Sequence, residues 1–109
     1  MGIPSSGSII VDNDSVRLFD ARRLMLWQFR WTEIVKICAW KDDVLAFDIV
    51  CIGFLVEGSE KYLRCDEHND GWDELHRHLL RLYNLRLEDW WPTVALPAFV
   101  ENLTVLWER

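Results

Sequence analysis

The sequence lacks the motifs that mark most enzymes and nucleotide-binding proteins. It contains no GxSxG elbow, no glycine-rich phosphate loop and no CxxC pair, and only five of its 109 residues are glycine. These absences disfavour nucleophilic catalysis, nucleotide binding and paired-cysteine metal sites. The longest nearly uncharged run, from Ile49 to Val56, is too short to span a bilayer. We therefore predict one domain that is not an enzyme and holds no cofactor.

Basic charge is also scarce. The formal net charge is −6, and a protein with this balance is a poor partner for nucleic acid or for an anionic membrane. The residues from Met1 to Ser6 have no charged start and no long apolar stretch, which predicts no secretory signal. The cysteines, Cys38, Cys51 and Cys65, are odd in number and lie in apolar runs, which is typical of buried, reduced thiols. These features predict a cytoplasmic protein.

Tryptophan, in contrast, is abundant, with seven in the chain. Such large amphipathic rings either fill a small core or build a surface that grips a partner. We expect Trp27, Trp31 and Trp72 in the core. Trp90 and Trp91 are adjacent and precede a proline, so they cannot easily both point inward, and we expect one of them as an exposed interface anchor.

Hydrophobic periodicity divides the chain into strands followed by one helix. Short apolar runs alternate with turn residues over 8–65, whereas Trp72, Leu75, Leu79 and Leu82 follow helical spacing. Asn69 or Asp70 is the expected helix cap. The predicted single domain, 1–109, thus has a flexible leader (1–7), antiparallel strands (8–65), one amphipathic helix (70–84) and an ordered tail (85–109). Turns are expected at Asp12–Asp14, Lys41–Asp43 and Glu57–Glu60.

This order of elements is α+β and resembles the pleckstrin-homology-like superfold, specifically small uncharacterised bacterial proteins of that type. The resemblance covers roughly residues 16–109. It is carried by Arg30-Trp31-Thr32-Glu33-Ile34, by Lys41-Asp42 with Phe47-Asp48, by Glu67 with Gly71-Trp72-Asp73-Glu74-Leu75, and by Trp90-Trp91, Pro97-Ala98-Phe99 and Asn102-Leu103-Thr104-Val105-Leu106.

The resemblance implies a bent antiparallel sheet of about six or seven strands, capped by one C-terminal helix. No catalytic motif comes with it, and it implies fold more than function. Some relatives bind phosphoinositides through basic residues near the first hairpin. Here the cations and carboxylates of that region cancel, so lipid binding is not expected: Arg17, Arg22 and Arg23 lie beside Asp12, Asp14 and Asp20.

The sequence disfavours two kinds of chemical site, a metal site and a catalytic site. Cys65, Asp66, His68 and His76 lie close in sequence but do not have the spacing of a zinc site. Candidate acids and a base for catalysis are Asp42, Asp43, Asp48, Glu67 and His68, and no pair among them is fixed by spacing. Asp48 interrupts an apolar strand, and we expect it to be satisfied by Trp40 or Lys41 across the turn.

The acidic run over 66–74 is the sharpest candidate for function. Its five carboxylates are Asp66, Glu67, Asp70, Asp73 and Glu74. One interpretation is a solvated loop with helix capping, which accounts for Asp70 and Asp73 but not readily for Asp66 and Glu67. The other is a surface that steers a basic protein partner. The candidate partner-binding residues are Asp66, Glu67, Asp70, Asp73, Trp90 and Trp91.

The sequence therefore predicts a non-enzymatic protein-binding module. In its most concrete form this is an acidic immunity-type protein that neutralises a basic toxin. The alternative is a self-assembling structural or regulatory module that forms a homodimer through exposed aromatics.

Overall fold

The computed structural model describes residues 7–44, 47–96 and 103–109. These residues form seven strands, one 3₁₀ turn and two helices. In chain order they are β1 (Ser8–Val11), β2 (Ser15–Phe19), β3 (Met25–Arg30), the 3₁₀ turn (Trp31–Glu33), β4 (Ile34–Val44), β5 (Phe47–Val56), β6 (Leu63–Asp66), α1 (Trp72–Tyr83), α2 (Leu87–Ala95) and β7 (Thr104–Glu108). Neither helix is long and apolar enough to cross a membrane.

Residues 1–6 of the predicted leader lie outside the described residues. Gly7, the last residue of that segment, is buried, and its carbonyl accepts a hydrogen bond from the Asp70 N–H at 3.0 Å.

The strands form two antiparallel sheets, so the prediction of one bent sheet is wrong in this respect. The first sheet has the order β1-β2-β3 and the second the order β6-β5-β4-β7. The division falls at the 3₁₀ turn Trp31–Glu33, which breaks the chain between β3 and β4.

Aromatic rings join the two sheets across a common core. Phe29 of β3 lies 4.9 Å, centroid to centroid, from Phe54 of β5, and Trp27 lies 6.5 Å from the same ring. The Trp27 indole also donates to the Arg64 carbonyl of β6 at 3.2 Å. The expected core tryptophans Trp31 and Trp72 are buried, while Trp27 is half-buried. The two sheets therefore pack face to face, and α1 and α2 cover the same core.

The predicted helix over 70–84 is confirmed as α1, Trp72–Tyr83. Its cap differs from the prediction: Gly71, at φ 89°, is the N-cap, and no side chain caps the helix. Asn69 instead accepts a hydrogen bond from the Asp66 N–H at 2.8 Å.

The second helix, α2, was not predicted. The sequence analysis assigned these residues to the ordered tail (85–109). Pro92 lies inside the helix, although proline removes a backbone donor and disfavours a helix interior. Trp90 and Val94 lie one turn apart and are both buried in the core. Tertiary packing of that face thus outweighs the local cost of the proline.

The expected turn at Lys41–Asp43 is also wrong, because β4 continues through these residues to Val44. Lys41 lies on the inner face, where only 2% of its side chain is exposed. Its Nζ is 3.4 Å from Asp48 Oδ2 and donates to the Ala95 carbonyl at 3.0 Å. The predicted partner for Asp48 is therefore confirmed. The same amine holds the C-terminal end of α2, where a helix dipole favours positive charge.

We predict that Lys41→Met destabilises the domain by about 3–5 kcal/mol, because it leaves the Asp48 carboxylate buried without its cation. Urea denaturation measures the loss. The matched control is Lys36→Met on the same strand, whose pair with Glu108 is partly exposed and 3.9 Å long, so its loss costs less than about 1 kcal/mol. Equal effects of the two substitutions would contradict the assigned role of Lys41.

Candidate functional site

The start of α1 is tied to β1 by a parallel bridge between Ser8 and Asp70. The Ile9 N–H donates to the Asp70 carbonyl at 2.7 Å, next to the Asp70–Gly7 bond. The chain passes so close that a Cβ on Gly71 would lie 2.1 Å from the Ile9 carbonyl oxygen. Gly71 also has a positive φ, so glycine is required here for both reasons. This bridge fixes where the acidic segment lies.

Strand register then places Asp70 in a row across the outer face of the first sheet. Ser8 is opposite Asp70 on one side and Phe19 on the other, and Phe19 is opposite Met25. Residues paired across strands share a face, and neighbouring strands are about 4.8 Å apart. A register shift at Leu18 and Phe19 brings Met25 opposite Phe19, although Met25 has the parity of Trp27 and Phe29. Asp70 and Met25 are therefore separated by roughly 15 Å along this row.

The far end of this row is apolar and exposed. Leu24, Met25 and Leu26 are 63%, 50% and 56% exposed. Ile10, two residues after Ser8 on β1, is also exposed. With the half-buried Phe19, these residues form what we call the apolar patch. Clusters of exposed large apolar side chains mark interaction surfaces. Sequence reasoning missed this patch. A signal for it was present, because Leu24 and Leu26 are apolar and have the opposite parity to Trp27 and Phe29.

Asp66 is not available at the surface. It is buried, and its Oδ2 lies 3.0 Å from Arg64, whose guanidinium also pairs with Asp42 at 3.0 Å. Its other oxygen accepts the His68 N–H at 2.9 Å. Glu67 is half-buried and accepts the Val50 N–H at 3.1 Å, extending the β5–β6 pairing. Both carboxylates that capping could not explain thus have structural partners.

Asp70 and Asp73 are the carboxylates left facing solvent. Neither forms an ion pair within residues 7–44, 47–96 and 103–109, and neither caps α1. Glu74, one position further on, is paired with Arg77. A shallow depression of about 420 Å³ lies along this segment, from Glu67 to Arg77. Within the acidic run, uncompensated exposed charge therefore lies at Asp70 and Asp73.

His76 lies in the next turn of α1 and is only 8% exposed. Its ring stands 4.3 Å from that of Trp72 and 5.8 Å from that of Trp90. Neither ring nitrogen has a hydrogen-bond partner in the described part of the chain. Burial lowers the pKa of His76 to about 4, and the nearby Asp73 carboxylate opposes this shift. The imidazole is therefore neutral at pH 7.

The predicted tryptophan anchors are less accessible than expected. Trp90 is buried and Trp91 is half-buried. All seven tryptophans lie in the described part of the chain, and none of them is exposed. The exposed apolar surface of the described residues is built from aliphatic and methionine side chains instead.

The candidate catalytic and metal-binding residues are dispersed. Asp42 pairs with Arg64 on the outer face of the second sheet, whereas Asp48 pairs with Lys41 on the inner face. The Asp43 side chain lies outside the described part of the structure. No group of three metal-ligating side chains occurs among the described residues.

The cysteines are buried and form no disulfide. Burial raises the pKa of the Cys51 thiol to about 12, and it raises the pKa of the Cys65 thiol as well. Both thiols are therefore protonated at pH 7 and are poor nucleophiles.

Comparison of the chain with protein-family models, with curated proteins and with solved structures finds no match. The geometry of the surfaces described above is thus the basis for assigning a function.

We predict that His76 makes stability fall with acid. Its pKa is about 4 when folded against 6.5 as a free group, so the unfolded chain takes up the proton first. Stability is complete above about pH 6.5 and falls towards pH 4, by roughly 3 kcal/mol in total.

His76→Phe is the comparison that isolates this effect, because all other titrating groups are retained. Urea denaturation of both proteins at pH 7 and pH 5 should show a steeper loss for the wild type. Parallel losses in the two proteins would contradict the prediction.

Proposed function

We propose that this chain is a non-enzymatic protein-binding domain that captures a basic partner. The observation that carries the proposal is the row on the first sheet, where the exposed Asp70 and the apolar patch share one face. The separation of roughly 15 Å fits within a single interface of about 800 Å² per partner. Apolar area supplies affinity there, and the carboxylates steer the encounter.

The concrete form of the proposal is an immunity-type protein that neutralises a basic toxin. Support comes from the net charge of −6 and from the exposed Asp70, which lies in the same row across the first sheet as Phe19 and Met25 of the apolar patch. Such charge raises association rates with a cationic protein and disfavours nucleic acid. The free, buried thiols support a reducing compartment such as the cytoplasm.

The pleckstrin-homology-like fold belongs to the same proposal. Two antiparallel sheets packed face to face, followed by α1, support it. β7 is a departure, since it returns after both helices and pairs with β4.

Removing the two exposed charges should weaken capture. We predict that Asp70→Asn with Asp73→Asn reduces affinity for a basic partner about tenfold or more at low salt, and that salt weakens the wild-type complex. The partner is isolated with the tagged wild-type chain from cells that naturally produce it. Its binding to purified variants is then measured by calorimetry, and cross-linking locates the contact.

The matched control is Glu60→Gln with Asp89→Asn, which removes two exposed carboxylates elsewhere. It should bind as the wild type does. Leu26→Gln should speed dissociation without unfolding the domain, since Leu26 is largely exposed. An acidic partner, or unchanged binding by the Asp70 and Asp73 variant, would overturn the proposal. Protection of cells against the partner by co-expression tests the immunity role itself.

Self-assembly is the second candidate, and the apolar patch is the observation that favours it. β3 carries Met25 and Leu26 of this patch and, among the described strands, pairs only with β2. An edge strand with apolar side chains can pair with a second copy. Sedimentation distinguishes the two: a salt-insensitive dimer that Leu26→Gln dissociates supports self-assembly, and a monomer supports a foreign partner.

A further inference from the structure

Charges of both signs border the apolar patch. Asp70 lies at one end of the row across the first sheet, two strand spacings or roughly 10 Å from Phe19. Arg22 and Arg23 lie in the connection between β2 and β3, which follows Phe19 and precedes Met25. Both arginines are exposed, and neither forms an ion pair within the described part of the chain. The patch therefore has free negative charge on one side and free positive charge at the β2–β3 connection.

The β2–β3 connection holds its arginines in a defined place. The Asp20 carboxylate accepts the Arg22 N–H at 2.8 Å and the Leu24 N–H at 2.9 Å, and the Asp20 carbonyl accepts the Arg23 N–H at 3.0 Å. These bonds use the carboxylate to fix the turn. Two arginines against one aspartate leave the connection with a net charge of +1.

The middle row of this face carries a charged side chain that is already compensated. Ile10 is opposite Arg17, and Arg17 is opposite Gln28. The Arg17 guanidinium pairs with Asp12 at 3.4 Å. Arg17 therefore adds no free charge to the centre of the face.

A surface of this kind is complementary to itself. In a dimer with two-fold symmetry, residue i of one copy contacts residue j of the other, and residue j contacts residue i in return. When the axis passes through the apolar patch, the carboxylate side of each copy faces the arginines of the other, and apolar side chains meet in the middle. Arg22 and Arg23 have no role in the capture of a basic partner, whereas a second copy is an occupant that uses them as well as Asp70.

We propose that the outer face of the first sheet binds the same face of a second copy. Asp70 of each copy, with Asp73 from the same depression, lies opposite Arg22 and Arg23 of the other. The inference rests on self-assembly, the second candidate function, and specifies its geometry. Face-to-face contact covers the apolar patch, whereas pairing through the edge of β3 would leave it exposed. The patch supplies the affinity, and the exposed charges, which add little affinity as pairs, fix the orientation.

The inference is tested by charge reversal in the purified chain. Sedimentation equilibrium of the wild type over about 5–500 µM should show a reversible dimer that Leu26→Gln dissociates. Arg22→Glu with Arg23→Glu, and separately Asp70→Lys with Asp73→Lys, should each weaken the dimer about tenfold or more, because like charges then face each other in both halves of the interface. The first pair makes the net charge more negative and the second makes it less negative, so net charge alone does not explain a common weakening.

Mixing the two reversed variants tests the orientation directly. In the mixed dimer, the new glutamates face the new lysines, and the native arginines of one copy face the native aspartates of the other. Opposite charges then meet in both halves of the interface, so we expect a heterodimer about as tight as the wild-type dimer. Native mass spectrometry identifies it, because the two variants differ in mass.

The matched control is Glu60→Lys with Asp89→Lys, which changes the net charge as the Asp70 and Asp73 pair does. Both control carboxylates are exposed, and Asp89, like Asp73, lies in the first turn of a helix. The control should dimerise as the wild type does, and circular dichroism checks that every variant is folded. A wild type that stays monomeric throughout the range would overturn the inference together with self-assembly. A dimer that both reversals leave intact, or that mixing does not restore, would overturn the inference alone.

Discussion

The candidate site depends on the backbone bridge between β1 and the Asp70 segment. Without it, the acidic run would be an ordinary loop between a strand and a helix. The two hydrogen bonds that Asp70 makes with Gly7 and Ile9 extend the first sheet by one residue. That extension places a carboxylate in register with Met25, on the face that carries the apolar patch. Gly71 permits the close approach and begins α1 in the same step, so sheet and helix are joined at the residue that borders the site.

Charge inside this protein is used in two different ways. Asp48 and Asp66 lie where water is scarce, and each is held by a specific cation, Lys41 or Arg64. A buried pair of this kind fixes geometry, because removing one partner leaves an unpaired charge in a poorly solvating environment. Asp70 and Asp73 are exposed, and their carboxylates form no ion pair within the described residues. Their electrostatic effect is directed outward, which is the physical condition for steering a partner.

Sequence alone predicted the local features well. Period-two and helical patterns located β1 to β6 and α1, and Gly58 marked the turn before β6, whereas β7 was assigned only to the ordered tail. It failed where distant residues decide the outcome. Pro92 argued against α2, yet Trp90 and Val94 reach a core whose other walls are far away in sequence. The roles of the acids were also assigned wrongly. Here the signal was local, since Arg64 lies two residues before Asp66 on β6 and period two places both side chains on one face. The apolar patch depends on which face of β3 the second sheet covers.

His76 is enclosed by Trp72 and Trp90, and neither of its ring nitrogens has a hydrogen-bond partner in the described part of the chain. Replacing a buried, unpartnered histidine by an apolar residue of similar shape would ordinarily be neutral or stabilising. The imidazole therefore lowers the stability of the domain, and this cost grows as the pH falls, because the unfolded chain takes up the proton first. Its two aromatic neighbours belong to different helices, so the ring lies at the contact between α1 and α2.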